Sequence, residues 1–156
     1  MQLRRFTSHD IPVIVDNVVA FQREHTRFSD PYFGGIEPER IMRVLQSNIN
    51  SSLFHCNVIE HEGVLVAGLA ATLHQYGFNR EVFADDLFLY VKPEHRKGSV
   101  FEMLLNAYEE WARTRQAREV RITFTTGTVN LDLIGRWIGK KGYDEVGRIW
   151  SKRTQA

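Results

Sequence analysis

Cysteine is nearly missing from this chain. One residue in 156, Cys56, leaves no internal disulfide to form, so the fold must rest on its core. A lone cysteine inside an apolar run reads as a small buried hydrophobe rather than a nucleophile, and its isolation fits the reducing cytoplasm. No apolar stretch is long enough to cross a bilayer, which argues against membrane insertion. The first residues, Met1 to Arg5, are charged and lack the apolar centre of a signal peptide, so a cytoplasmic location is expected. The six histidines include no pair at helical ligand spacing, and Cys56 has no companion, so no metal site is expected. A net charge of +1 gives no electrostatic reason for a nucleic-acid partner. Lysine is absent up to Val91 and present only after it. These lysines and the arginines near them can help hold a polyanion, although a solvated surface accounts for them equally well.

What is present suits one globular domain over residues 1–156. Hydrophobic residues make up 43% and charged residues 25%, in a chain long enough to bury a core unaided. A first strand at Leu3 to Phe6 leads into Thr7-Ser8-His9-Asp10, which has the spacing of a capping box. Ile11, Ile14, Val15, Val18 and Val19 then recur at helical spacing, with Pro12 in the first turn where a missing N–H costs nothing. Phe28 to Ile36 mixes aromatics with Asp30-Pro31 and Gly34-Gly35 and reads as a loop able to lie over a site. A second helix follows from Pro38. The apolar runs Leu53 to Ile59 and Val64 to Leu73, parted by Glu60-His61-Glu62-Gly63, predict a hairpin. A strand at Val82 to Val91 then passes through a short turn into a helix carrying Val100, Leu104, Leu105, Tyr108, Trp111 and Ala112. A strand at Glu119 to Thr125, a helix from Asn130 to Lys141 stopped by Gly142, and a last strand at Tyr143 to Trp150 complete the order β-α-α-β-β-β-α-β-α-β. The fold class is therefore α+β, a mostly antiparallel sheet flanked by helices. No residue pattern decides between a monomer and a homodimer.

The turn between the strand ending at Val91 and the next helix carries chemistry. The first N–H groups of a helix lack internal partners, and the helix dipole adds partial positive charge there, so such a turn attracts phosphate. Arg96 and Lys97 supply cations, Gly98 permits close backbone approach, and Ser99 can cap the helix or donate its hydroxyl. The same residues also suit an ordinary capped helix start with two exposed cations.

The order of elements and the string Tyr90-Val91-Lys92-Pro93-Glu94-His95-Arg96-Lys97-Gly98 together resemble the GNAT superfamily of acetyl-CoA-dependent N-acetyltransferases, in the manner of its divergent phage-type and bacterial members. The likeness extends through Val66-Ala67-Gly68 in the hairpin, Asn130 at a later helix start and Lys141-Gly142-Tyr143 at its end. With Arg96 on the family arginine, Ser99 and Phe101 stand where the two motif glycines usually lie. The resemblance implies acetyl-CoA as co-substrate, its pyrophosphate held by the turn at Arg96, Lys97, Gly98, Ser99 and Val100, with Asn130 also contacting it. It further implies that the central strand is bulged at its end and that a backbone amide there, near Leu89, Tyr90 or Val91, stabilises the thioester oxygen.

Acetyl transfer to an alkylamine needs a proton acceptor, because the free ammonium has a pKa near about 10.4. The position that matches the family's acidic residue is Asp86, with Asp85 pointing to the other face of the strand. The tyrosine that commonly protonates the departing thiolate falls at Trp137 or Ile138, neither of which can donate that proton, which leaves Tyr90 or unassisted departure. The expected activity is N-acetylation of a primary amine on a small molecule or peptide. The replaced glycines and missing tyrosine keep a second reading open, a catalytically silent module of the same fold that binds an acyl-CoA or a protein partner.

Overall fold

The computed structural model describes residues 1–24, 36–96, 99–124 and 131–147, apart from the side chains of Gln22 and Leu131. The chain divides into two units, one of Met1–Phe21 with Glu37–Thr123 and one of Gln22–Ile36 with Phe124–Ala156.

The first unit is built on a five-stranded sheet in sequential order, β1 (Gln2–Arg5), β2 (Phe54–His61), β3 (Val64–Gln75), β4 (Val82–Val91) and β5 (Glu119–Val120). The first four strands run antiparallel, and β5 lies parallel to β4. The hairpin predicted between β2 and β3 closes through two residues, Glu62 at φ 52° and Gly63 at φ 77°, the left-handed pair that matches the twist of the flanking strands. A parallel neighbour cannot be reached by a hairpin, so the chain crosses from β4 to β5 through α3 (Val100–Thr114). Val100, Leu104, Leu105, Tyr108 and Ala112 recur at three- and four-residue spacing and are buried, as α3 packs across β2 to β5.

Alternation along the strands fixes what each sheet face carries. His55, opposite Ala71 and in line with Asp86, lies on the face covered by α3, where its ring sits 5.8 Å from Tyr108 and 5.2 Å from Trp111. Cys56, Val58, Gly68 and Tyr90 point the other way, and Asn17 of α1 (Ile11–Glu24) reaches Tyr90 from that side. Ile11, Ile14, Val15 and Val18 form the buried stripe of α1, and Leu45 is the buried residue of α2 (Pro38–Asn48). Each such side chain contributes about 1.5–3 kcal/mol by leaving water.

The predicted capping box is present, in a single 3-10 turn, Ser8–Asp10, that precedes α1. The buried Asp10 carboxylate accepts from the Thr7 N–H (2.7 Å) and from both terminal nitrogens of Arg4 (2.7 and 2.9 Å), and this partner holds its pKa down at about 2. Arg4 also donates to Glu60, so one guanidinium ties β1, β2 and the start of α1 together.

Two predicted elements differ. The strand expected at Glu119 to Thr125 pairs over only two residues; Arg121 to Phe124 join no ladder, and Thr125 lies outside the described residues. Of the last strand, residues Tyr143 to Gly147 are irregular and the remainder lies outside the described residues. In the second unit α4 (Leu131–Gly139) ends two residues short of the expected Lys141, and after a turn the φ of 90° at Gly142 lets the Tyr143 N–H turn back to the Ile138 carbonyl. Among the described residues no helix is long and apolar enough to cross a membrane.

Candidate active site

The site is prepared by an irregularity in β4. Leu69 faces Leu89 and Ala70 faces Phe88, but Ala71 then faces Asp86, so Leu87 is an extra residue in the strand. This bulge leaves the Leu87 side chain exposed, resets the alternation, and places Asp86 on the α3 face and Asp85 on the other. Strand periodicity alone predicts opposite faces for Asp85 and Asp86 but not the bulge, because Leu87 fits an unbroken apolar strand equally well.

Beyond the bulge, Lys92 donates to the Val66 carbonyl of β3 (2.9 Å). By the alternation of an antiparallel ladder, Tyr90 also turns its backbone N–H and C=O towards β3, whereas Leu89 and Val91 turn theirs to the opposite edge. Among the described residues the pairing on that edge ends early: Phe83 faces Glu119, Ala84 faces Val120, and Arg121 donates to the Ala84 carbonyl (2.9 Å). The next contact is made by a side chain, as the Thr123 N–H donates to Asp86 Oδ1 (2.7 Å). Beta4 and β5 therefore part at Asp86, and the outward backbone groups of Leu89 and Val91 lie past the point of parting. The Val91 carbonyl accepts from Arg96 Nε (2.9 Å), which ties the turn to the strand end.

Asp86 is half-buried at this divide. Desolvation, the main effect, and the neighbouring charge of Asp85 raise its pKa to about 6 against the opposing pull of the Thr123 N–H. A carboxylate with that value is ionised at neutral pH and still basic enough to take a proton, the property sought in a general base.

The other predicted residues fall as follows. Tyr90 is buried on the face away from α3; its hydroxyl accepts from Asn17 Nδ2 (3.1 Å), and burial raises its pKa well above the ordinary phenol value. Ser99 precedes α3 with no side-chain capping bond, its carbonyl accepting from the Met103 N–H (2.8 Å), and Val100 is buried at the first helical position. Lys97, Gly98, Asn130 and the loop from Phe28 to Gly35 lie outside the described residues. Trp137 is on α4, with Lys141 Nζ 5.5 Å from its ring. Cys56 is buried, and desolvation raises its thiol far above the range of a nucleophile. Among the described residues no cluster of three or more metal-ligating side chains occurs.

The expected bulge lies at Leu87 and not at the strand end near Leu89 to Val91, and sequence reasoning missed two participants: the Thr123 amide, and the Tyr108 hydroxyl, which donates to the Arg121 carbonyl (3.0 Å). Tyr108 fits the apolar stripe of α3, so only the need of a buried phenol for a hydrogen-bond partner marks it as different from a leucine there.

Residues 21–139 match the family described as Acetyltransferase (GNAT) family. No curated protein matches the chain significantly in sequence. Solved structures resemble it in fold. A possible acetyltransferase from Clostridium difficile 630 aligns over 99% of this chain and 98% of its own, at 12% identity and a TM-score of 0.72. An integron cassette protein from the mobile metagenome of Cole Harbour Salt Marsh aligns over 99% and 91%, at 17% identity and a TM-score of 0.74. An aminoglycoside acetyltransferase from an uncultured soil metagenomic sample, solved in complex with sisomicin, aligns over 98% and 96%, at 16% identity and a TM-score of 0.69. With a family match over most of its length and a mixed sheet that opens between β4 and β5, this chain belongs to the GNAT acetyltransferase family.

Proposed function

We propose that the protein is an N-acetyltransferase that moves an acetyl group from acetyl-CoA to a primary amine of a small molecule or peptide by direct attack. The observation that carries the reading is Asp86, a carboxylate of raised pKa held where β4 and β5 separate. The residues suit the co-substrate in chemical kind: outward backbone groups of Leu89 and Val91, and a turn of one arginine, one lysine, one glycine and one serine at the head of a fifteen-residue helix. When bound, acetyl-CoA supplies an activated acyl group as its thioester.

The chain's own groups divide the remaining work. Asp86 accepts the proton that the acceptor ammonium gives up so that the neutral amine can attack, with the Thr123 N–H fixing its carboxylate. The amides of Leu89 and Val91, turned to the open edge, suit the oxygen of a polarised thioester carbonyl. Arg96, anchored by Nε to the Val91 carbonyl, brings positive charge to the phosphate-binding turn, with Lys97, Gly98, Ser99 and Val100 completing it and Asn130 assisting. The Tyr90 hydroxyl, held by Asn17 on the other face, is a poor candidate for protonating a thiolate, whose low basicity permits departure without help. Similarity in fold to aminoglycoside acetyltransferases favours a small amine acceptor.

Release of free CoA from acetyl-CoA, followed with a thiol reagent across a panel of amines, amino sugars and short peptides, tests this function. Wild type is expected to release CoA in an amine-dependent manner, and Asp86→Asn to lose roughly 10²–10⁴-fold in kcat. Equal turnover by the variant removes Asp86 from the chemistry. Binding of acetyl-CoA without turnover on any acceptor returns the protein to the silent-module reading.

A further inference from the structure

Beta4 and β5 begin a regular parallel ladder and then abandon it, and the hydrogen bonds show how. A ladder in which Arg121 N–H meets the Ala84 carbonyl continues, two residues on, with Asp86 N–H on the Arg121 carbonyl and Thr123 N–H on the Asp86 carbonyl. Among the described residues neither of these two bonds is made, and both groups past β5 bond elsewhere. The Arg121 carbonyl accepts from the Tyr108 hydroxyl of α3 (3.0 Å), and the Thr123 N–H donates to the Asp86 carboxylate (2.7 Å). The next acceptor and donor past β5 are thus bonded to side chains in place of the β4 backbone. A backbone group left unpaired in a sheet costs free energy, and these two substitutes lessen that penalty by satisfying the Arg121 carbonyl and the Thr123 N–H.

We infer that Tyr108 and Asp86 together form a wedge that keeps the edge of β4 open for the acyl donor. Tyr108 is a positioning residue, fully buried and anchored in the stripe of α3 that packs on the sheet. Its hydroxyl enters from that face to take the carbonyl at the vertex of the opening. Asp86 has a second task besides proton acceptance, since its oxygen stands in for its own backbone carbonyl. The two tasks are separable: asparagine in its place keeps an acceptor oxygen for Thr123 but cannot serve as the base, whereas alanine loses both. This inference rests on the acetyltransferase reading for its purpose but not for its geometry.

The test compares Tyr108→Phe, Asp86→Ala and Asp86→Asn by amide hydrogen exchange and by calorimetric titration with acetyl-CoA. In Tyr108→Phe the freed Arg121 carbonyl is expected to pair with the residue 86 amide, slowing its exchange by about tenfold or more, and acetyl-CoA affinity is expected to fall by about tenfold. Asp86→Ala is expected to weaken binding similarly, and Asp86→Asn to bind within about twofold of wild type while losing turnover. Unchanged exchange at residue 86 in Tyr108→Phe, together with equal affinity of Asp86→Ala and Asp86→Asn, overturns the wedge. If wild type itself fails to bind acetyl-CoA, the functional reading fails, and exchange at residue 86 still decides the wedge.

Discussion

At the scale of single residues, a buried histidine and a half-buried aspartate on one sheet face oppose each other with pH. His55, packed between Tyr108 and Trp111 with Nε2 unpartnered, has its pKa lowered from 6.5 to about 4, mainly by desolvation. Its folded state favours the neutral ring, so stability is full above pH 6.5 and is lost as pH falls towards 4. Asp86 runs the other way: its pKa is raised from 3.8 to about 6, so the folded state is penalised above that value and relieved as pH falls from 6 towards 4. The two contributions, each of order 2 kcal/mol, are opposite in sign. Urea unfolding between pH 7 and 4.5 separates them: Asp86→Asn should lose stability on acidification, and His55→Leu should gain it. Parallel pH curves for both variants and wild type contradict this account. Of these residues only Asp86 is singled out from sequence, because it stands at the position that matches the family's acidic residue. The burial of His55 depends on which strand neighbours it, a fact no local pattern contains.

At the scale of elements, the strands and helices were legible because their periodicity and punctuation are local. Glu62-Gly63 marks the β2–β3 turn, Pro12 the first turn of α1, and Gly142 the turn after α4. The bulge at Leu87 and the early end of β5 were not, since both arise from pairing between segments distant in sequence. Close packing between elements also leaves its own signature. A Cβ added at Gly68 of β3 meets the buried Tyr90 ring of β4 at 2.9 Å from Cε1. Gly68→Ala should therefore destabilise by about 1–3 kcal/mol, as the ring is displaced and its bond to Asn17 disturbed. Tyr90→Val removes the obstacle, so in the double variant the Gly68→Ala penalty should shrink by more than about 1 kcal/mol. Additive losses in denaturant melts contradict the contact.

At the scale of the whole molecule, one route to the family membership lay in the sequence and another in the fold. Val91, Pro93, Glu94 and Arg96, in a strand, turn and helix context, carried the resemblance, and the match over residues 21–139 agrees with it. The candidate site was only half legible: the sequence located Asp86 and the turn, but the opening beside them depends on Tyr108 and Thr123, whose roles appear only once β5 is paired. The absence of a tyrosine at Trp137 or Ile138 is compatible with acetyl transfer if the thiolate departs alone, so that part of the sequence does not decide the function.

The account's central claim is that the opened edge of β4 and the turn at the head of α3 receive a diphosphate-bearing acyl donor. Calorimetric titration of wild type and Gly98→Asp with acetyl-CoA tests it most directly. One-to-one binding by wild type, weakened by about tenfold or more in Gly98→Asp, is the predicted result. No heat with wild type, or equal affinity for both proteins, contradicts it.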